Sequence, residues 1–362
     1  MAIHITDAKV EQEQDILAFY RWVYRQDHPL ANEKFLHWWL RDNPYFTKKG
    51  FSAKLAMDGQ KIAGHYGYTP VGLWMQGAVH RAFWAGNLVV DEAYRRQGIG
   101  GQLIAALRDE GEIGLDLGAS PIAEPMLVKE GWWHLGALHR WVGVLDASRA
   151  RGIAADQSAI GACVLPRLMQ NTDEKYEIRP IERFNSEHDV FWEIRRKTIA
   201  CATNREAAYL NWRYADHPVF KYKMYEICKG NDIQGYAIMR EEQAQGIEQE
   251  ITVMRVVDML AHPGYEEPLL RHLMRKAQDS GAVLMDFFCA SARYGAVLEK
   301  YGFKREPWSG RIARLFSPVV LSKWPISFNV IATNTAAGSE LPSQEEWYAT
   351  TGDGDQDRPN KL

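Results

Sequence analysis

Along the chain, apolar residues switch between two spacings. Ile3-His4-Ile5 alternates as a strand does, and Ile16, Leu17, Tyr20, Val23 and Tyr24 recur at three- and four-residue intervals, which predicts a helix over 15–25. Asn32 stands where a helix N-cap belongs, ahead of Phe35, Leu36, Trp38 and Trp39, and Asn43-Pro44 ends that helix. Two hairpins follow: 51–57 and 62–66 around Asp58-Gly59, then 71–75 and 78–90 around Gln76-Gly77. A strand over 113–117, a short helix over 121–130 and a strand over 140–145 complete the half. Together they predict a strand-rich α/β domain.

The most informative stretch is 87–106. Leu88-Val89-Val90 has the composition of a buried strand. Arg95-Arg96-Gln97-Gly98-Ile99-Gly100-Gly101 is a basic turn rich in glycine, and Leu103, Ile104 and Leu107 then fall on one helical face. Strand, glycine turn and helix together form an anion site. Glycine lets successive N–H groups face one point, and the helix N-terminus adds positive field. Two arginines beside it suit a diphosphate. A dinucleotide fingerprint requires Gly-x-Gly-x-x-Gly, which Gly98-x-Gly100-Gly101 does not provide, and no Lys-Ser/Thr follows as a phosphate-binding P-loop requires.

Arg95-x-x-Gly98-x-Gly100 behind Leu88-Val89-Val90 resembles the pyrophosphate loop of the GCN5-related N-acetyltransferase (GNAT) superfamily, over roughly residues 1–148, with 126–132 at the place of the family's Tyr-Glu-Lys-x-Gly-Phe segment. The resemblance implies an α/β (α+β) fold with a mixed, mostly antiparallel twisted sheet, flanked by helices and carrying a V-shaped opening in the N-terminal sheet. It implies acetyl-CoA, or another acyl-CoA, as co-substrate, its pyrophosphate on the amides of Arg96, Gln97, Gly98, Ile99, Gly100 and Gly101. Leu88 and Val90 would pair with the pantetheine amides, and an amine would attack the thioester carbonyl, with the oxyanion near the N–H of Leu88 or Val89. Two family assignments do not carry over. The tyrosine that protonates the leaving thiolate corresponds to Leu127, and 83–87 offers no carboxylate base. Glu124, His65 and His134 stand as the candidates for acid and base, while Asp116 reads as a structural strand residue.

The second half repeats the first. Leu36-His37-Trp38 through Pro44 recurs as Leu210-Asn211-Trp212 through Pro218, an offset of 174 (218 against 44). Ile62-Ala63-Gly64 recurs as Ile233-Gln234-Gly235, and Lys129-Glu130-Gly131-Trp132 as Lys300-Tyr301-Gly302-Phe303, both at 171 (233 against 62, 300 against 129). The loop itself is not repeated: its counterpart is shorter, with Glu266-Glu267 in place of the arginines. The organisation expected is an acyl-CoA-binding domain over 1–148, a linker over 149–177, a degenerate GNAT-like domain without a CoA loop over 178–318, and a tail over 319–362.

Bulk properties narrow the function. A formal net charge of -3 gives no basic footprint for nucleic acid. Cysteines 163, 201, 228 and 289 are scattered without metal-ligand spacing, so no metal is expected, and the N-terminus lacks a signal-peptide core. A cytoplasmic protein without membrane insertion is the expectation. The supply of 13 Trp, 16 Tyr and 13 Phe suggests an acceptor cleft that stacks on a ring, which favours an amino sugar, free or nucleotide-linked, as the small-molecule amine. The missing tyrosine and carboxylate leave a second reading, a non-catalytic acyl-CoA-binding or scaffold protein; a third is an aminoacyl-tRNA-dependent ligase. In the tail, Trp324-Pro325 and Trp347-Tyr348 are expected anchors, and 352–359 is expected to be a solvated acidic turn.

Overall fold

The computed structural model describes residues 3–151, 160–161, 163–168, 175–243, 251–305, 326–332 and 341–359. The first half supplies β1 (His4–Ala8), α1 (Glu13–Val23), α2 (Glu33–Leu40), β2 (Phe51–Asp58), β3 (Lys61–Met75), β4 (Ala78–Val90), α3 (Ile99–Ala106), β5 (Ile113–Leu117), α4 (Ala123–Lys129), β6 (Trp133–Ala137) and β7 (His139–Val144). The second supplies β8 (Glu177–Ile181), β9 (Cys201–Thr203), β10 (Lys223–Lys229), β11 (Asp232–Gln243), β12 (Thr252–Ala261), β13 (Leu284–Cys289), β14 (Lys304–Arg305), β15 (Ser327–Ala332) and β16 (Trp347–Tyr348). The two strands expected over 62–66 and 71–75 form one continuous strand, because Thr69-Pro70 stays extended and pairs with Phe83-Trp84. Asn32 caps α2 as its position requires, its side chain accepting from the Phe35 N–H at 3.2 Å.

These strands form two mixed, mostly antiparallel sheets flanked by helices, the tandem GNAT-like architecture. The first runs β1-β2-β3-β4-β5-β15-β6, with β9 and β16 at the far end of β3; the second runs β14-β7-β13-β12-β11-β10-β8. Corresponding parallel pairs repeat in register. Ala82↔Ile113 to Ala85↔Asp116 in the first sheet becomes Val253↔Leu284 to Val256↔Phe287 in the second, 171 residues on (253 against 82, 287 against 116).

Each half gives its terminal strand to the other. β7 belongs to the first half in sequence, yet it lies in the second sheet between β13 and β14. β15 belongs to the second half and lies in the first sheet between β5 and β6. The anion loop thus sits on a sheet completed from the other end of the chain.

The repeated tryptophans meet across the junction. Trp38 Nε1–H donates to the Trp212 carbonyl at 2.6 Å, Trp212 Nε1–H donates to the Trp38 carbonyl at 2.8 Å, and the rings stack with centroids 5.1 Å apart. A reciprocal bond between residues at the 174 offset marks an approximate twofold relation between the halves. Trp38, Trp39, Trp132, Trp212, Tyr214 and Phe303 are all buried. The space bounded by Phe35, Trp38, Trp39 and Trp212 is about 10 Å³, room for about one water and not for a sugar ring. Trp38 and Trp212 hold the two halves together, while Trp133, next to Trp132, is solvent-exposed. Replacing Trp38 with alanine should cost about 3–5 kcal/mol in denaturant unfolding. The Trp38→Ala, Trp212→Ala double variant should lose clearly less than the sum, because each partner's loss already breaks the shared pair.

The tail is a correction to the sequence reading. Asp353 and Asp357 are 3% and 1% exposed. Asp353 accepts from Arg205 Nη2 at 2.8 Å, Asp357 from Arg240 Nη2 at 2.6 Å, and Arg213 donates to the carbonyls of Gly352 and Gly354. A buried carboxylate persists only when paired, and its partners lie more than 100 residues away, beyond local pattern. Trp347 and Tyr348 do anchor the segment through β16 and β9; Trp324-Pro325 lies outside the described residues. Elsewhere, Glu13, Glu33 and His37 bring three ligating side chains together, with His37 Nε2 3.0 Å from Glu13 Oε1 in an ion pair that braces α1 to α2. Among the described residues, no helix is long and apolar enough to cross a membrane.

Candidate functional site

The parallel pairing of β4 with β5 ends at Ala85↔Asp116, while β3 stays paired to β4 as far as Gly64↔Val90. From Gly86 to Val90, β4 therefore presents one open edge, and the sheet splits into a V. The divergence starts at Asn87, whose φ of 60° lies in the left-handed region. Leu88, Val89 and Val90 are half-buried along this edge.

β4 leads into the glycine turn. Arg96 and Gly98 both take left-handed conformations, φ 64° and 77°, which turns neighbouring N–H groups toward one side as in an anion nest. α3 begins at Ile99, so the N–H groups of Ile99, Gly100 and Gly101 have no intrahelical acceptor. Arg95, Arg96, Gln97 and Gly98 are exposed, and Arg95 Nε holds the Val90 carbonyl at 3.2 Å. A Cβ at Gly98 would meet nothing within 4 Å, whereas one at Gly100 would meet Met126 Sδ at 3.2 Å. The cradle is open above Gly98 and tight below Gly100, where α3 packs on α4. Amides, helix dipole and two arginines on one open face fit a diphosphate.

The matching turn in the second half is self-occupied. Glu266 Oε2 accepts from the Gly264 N–H at 2.8 Å, Arg293 takes Glu266 Oε1, and Lys300 pairs with Glu267 at 2.7 Å. Protein carboxylates sit where an anion would, at the start of the helix Glu266–Asp279.

At the apex of the V, the tail closes the sheet. Asp355 Oδ2 accepts from the Asn87 N–H at 3.1 Å on β4, and Gln356 Nε2 donates to the Leu117 carbonyl at 2.7 Å on β5. Two side chains thus satisfy backbone groups that the parting strands leave unpaired. Gly86 and Gly118 make room for them: a Cβ there would come within 2.8 Å of Asp355 and 2.5 Å of Gln356. Arg358 Nη1 is 2.7 Å from Asp355 Oδ2. Beside these groups lies a cavity of about 160 Å³, reached by Tyr24, Tyr66, Leu88, Asp116, Leu127 and Asp355.

Asp116 is 7% exposed. Burial, followed by the charge of Asp355, pushes its carboxyl up to about 7. Asn329 Nδ2 on the exchanged β15 donates to Asp116 Oδ1 at 3.4 Å, and Asn329 Oδ1 lies 3.1 Å from His134 Nδ1, itself 2.8 Å from Glu124 Oε1. The structure therefore brings Glu124 and His134 together as a pair at the rim, linked to Asp116 through Asn329. It places His65 elsewhere. That ring is fully buried, Tyr20 Oη lies 2.8 Å from its Nε2, and burial pulls its pKa down to about 4. A neutral, sealed imidazole under the sheet has no access to a substrate proton. Asp116 and Asp355 were not among the sequence candidates. A carboxylate inside the wholly buried run Ile113-Gly114-Leu115-Asp116-Leu117 was a signal for the first; for the second there was none.

Residues 13–116, from α1 to the end of this V, match the model of the acetyltransferase (GNAT) family. This part of the chain is thus similar to the GNAT acetyltransferases. No curated protein matches in sequence, but solved structures match the fold over nearly the whole chain. A GNAT protein from Anabaena variabilis is 12% identical, with 92% of this chain and 74% of that one covered, at a TM-score of 0.61. One from Kribbella flavida is 13% identical, with 91% and 71% covered, at 0.56. Saccharomyces cerevisiae N-myristoyltransferase with bound myristoyl-CoA and inhibitors is 9% identical, with 91% and 80% covered, at 0.56. The GNAT fold thus extends through both halves.

Proposed function

We propose that the protein is an acyl-CoA-dependent N-acyltransferase that transfers an acyl group, acetyl in the first instance, to the primary amine of a small molecule. The observation that carries this reading is the pair of carboxylates, Asp116 and Asp355, at the apex of a V whose other end is the diphosphate cradle. The yeast N-myristoyltransferase, which binds an acyl-CoA on the same fold, supports the co-substrate class. The working site is in the first half; the second supplies β15, Asn329 and the tail.

The diphosphate rests on the amides of 96–101, and the open edge of Leu88 to Val90 takes the pantetheine arm as an added strand. That puts the thioester at the apex. An amine arrives largely as ammonium, which the carboxylates of Asp116 and Asp355 attract and orient, with Arg358 offsetting part of the charge of Asp355. Asp116 takes the proton that frees the nitrogen lone pair; a base near pH 7 suits this task. Attack forms a C–N bond, the N–H of Leu88 or Val89 receives the oxyanion, and the C–S bond breaks with its electron pair on sulfur; the second nitrogen proton passes to the departing thiolate, and Asp116 returns its own to solvent. A cavity of about 160 Å³, near the ~150 Å³ that holds benzene in an engineered core, fits the amine-bearing end of an acceptor. A nucleotide-linked sugar would extend beyond it. With the aromatic clusters in the core, an amino sugar is one member of a wider amine class. Carboxylates on β5 and the tail favour this reading over a purely binding role, since proton acceptors are present on other elements than β4.

The test is thiol release on incubation with acetyl-CoA and a panel of primary amines, run from pH 5.5 to 9. Activity should rise with pH through about 7, as Asp116 gives up its proton. Asp116→Asn should lose about 10²–10⁴ of kcat. The same variant gives a signed stability result. The folded-state pKa of Asp116 stands above the unfolded value of about 3.9, so the folded protein holds this proton more tightly. Stability therefore falls between pH 4 and about 7 and then levels off. Asp116→Asn should raise Tm at pH 8 and change it little at pH 4; a lower Tm at pH 8 would contradict the desolvated carboxyl.

A further inference from the structure

Among the described residues that line the apex cavity, Arg358 carries the one cationic side chain, and most of its guanidinium is idle. Nη1 donates to Asp355 Oδ2 at 2.7 Å. Nε and Nη2 form the side edge of the fork, the edge that takes a carboxylate as a bidentate pair. Among the described residues neither nitrogen has a hydrogen-bond partner, and both remain accessible. The buried arginines that hold the rest of the tail use this same edge. Arg240 sets Nε and Nη2 on Asp357 Oδ1 at 2.8 and 2.6 Å, and Arg213 sets them on the carbonyls of Gly352 and Gly354 at 2.6 and 3.0 Å. An arginine present only to neutralise Asp355 could take it in the manner of Arg240. Arg358 meets it with one nitrogen instead, and its side chain stays 26% exposed.

This cation stands across the sheet from the base. Asp116 pairs with Ala85, which packs with Leu103 and Ile104 of α3, so Asp116 lies on the α3/α4 face. Arg358 also borders the water-sized space beside Phe35 and Trp39 of α2. Trp39 donates to Thr69, whose neighbour Tyr68 packs in the α3 cluster, so α2 covers the opposite face. Tyr24, Tyr66 and Ser120 bring hydroxyls to the same cavity, but these are neutral and offer an anion no charge. The cavity thus has a carboxylate for an ammonium on one side and an open guanidinium edge on the other.

Resting on the acyl-transfer reading, we propose that Arg358 selects an acceptor whose amine is accompanied by a carboxylate, an amino acid. Nε and Nη2 clamp that carboxylate as a pair, and the ammonium turns to Asp116. Two-point anchoring fixes the nitrogen against the thioester, which a single charge contact does not. An amine without the acid group leaves the edge of a half-buried arginine unpaired and forgoes that anchor. Arg358 makes and breaks no bond, and the reaction is otherwise as described above. The acceptor class narrows from amines at large, amino sugars included, to amino acids.

Thiol release from acetyl-CoA tests this with amino acids of increasing spacing between amine and carboxylate, each beside its own amide. Wild-type kcat/KM for the best amino acid should exceed that for its amide by about thirtyfold, the scale of a charge-assisted hydrogen-bonded pair. In Arg358→Gln, which still offers an N–H to Asp355, the ratio should fall to about threefold or less. Arg358→Lys, which keeps the charge and loses the fork, should lie between. The acetyl-CoA Kd should stay within twofold by calorimetry. A wild-type protein that uses the amide as well as the amino acid overturns the assignment and leaves acyl transfer in place, whether or not the variants fold. An Arg358→Gln ratio equal to that of wild type does the same, and reduces Arg358 to a partner for Asp355. A wild-type protein that binds acetyl-CoA but releases no thiol with any amine overturns the acyl-transfer reading, and this proposal with it.

Discussion

Acetyl-CoA affinity should fall by at least about a hundredfold in the Arg95→Glu, Gly98→Asp double variant, while the fold survives. The reason lies in the open face of the cradle. A side chain at Gly98 meets no protein atom within 4 Å, so a carboxylate there projects into the volume the diphosphate needs. Asp tolerates the φ of 77° better than most residues, which keeps the folding cost small. At position 95 the change turns an exposed positive charge into a negative one and removes one hydrogen bond to the Val90 carbonyl. Each new charge, about 5 Å from a phosphate oxygen at an effective dielectric near 20 to 40, costs about 2–3 kcal/mol. Two such changes exceed the ~2.8 kcal/mol that corresponds to a factor of 100. Titration calorimetry measures the affinity, and a thermal melt checks that folding is intact. A double variant that still binds acetyl-CoA with wild-type affinity would place the co-substrate elsewhere on the molecule.

Asp357→Ala should cost about 3–5 kcal/mol of stability, far more than its place five residues before Leu362 would imply. Asp357 accepts from Arg240 at 2.6 Å and from Tyr222 Oη at 2.7 Å. Burial alone would push its carboxyl up, but Arg240 outweighs this and holds it below the usual carboxylate range. Removing it leaves Arg240, 2% exposed, with Glu242 at 2.7 Å as its remaining ion-pair partner among the described residues, and Arg255 already shares Glu242 at 3.0 Å. From there the charges continue through Asp286 to Arg140 on the exchanged β7, so the loss falls on a network that spans the second sheet. Because the folded-state pKa is depressed, the contribution is present above about pH 3.9 and is lost on acidification. The gap between wild type and variant in denaturant unfolding should therefore be full at pH 7 and narrow toward pH 3. A loss below 1 kcal/mol at pH 7 would mean that the tail is dispensable to the second lobe.

Much of the first half was legible in the sequence because local rules govern it. Asn32 caps α2, Gln76-Gly77 turns the hairpin with both residues at positive φ, and Arg96 and Gly98 bend the cradle. Each depends on neighbours within a few positions. The repeat was legible too, since Trp38 and Trp212 are specified by the same local pattern. What escaped is non-local. The membership of β7 in the second sheet and of β15 in the first is decided by which edge each strand meets, and an apolar strand such as Ser327–Ala332 carries no mark of its partner. Asp353, Asp355 and Asp357 read as a solvated run because their arginines at 205, 213 and 240 are distant in the chain, except for Arg358 beside Asp355. Asp116 was visible as a charge in a buried strand, and burial is the first cause of its elevated pKa; the second, the charge of Asp355, comes from the folded tail and was not legible.

The exchanged strands bear on how a substrate can arrive. Two lobes joined by a tether could part like jaws to admit an acceptor and shut for chemistry. Here β7 is laced between β13 and β14, and β15 between β5 and β6, so parting the lobes would mean tearing backbone ladders out of both. That costs far more than thermal agitation provides in a catalytic cycle. The reaction chamber is in effect cast at folding, and traffic must pass through its standing doorway, with selectivity set by the width and lining of that opening.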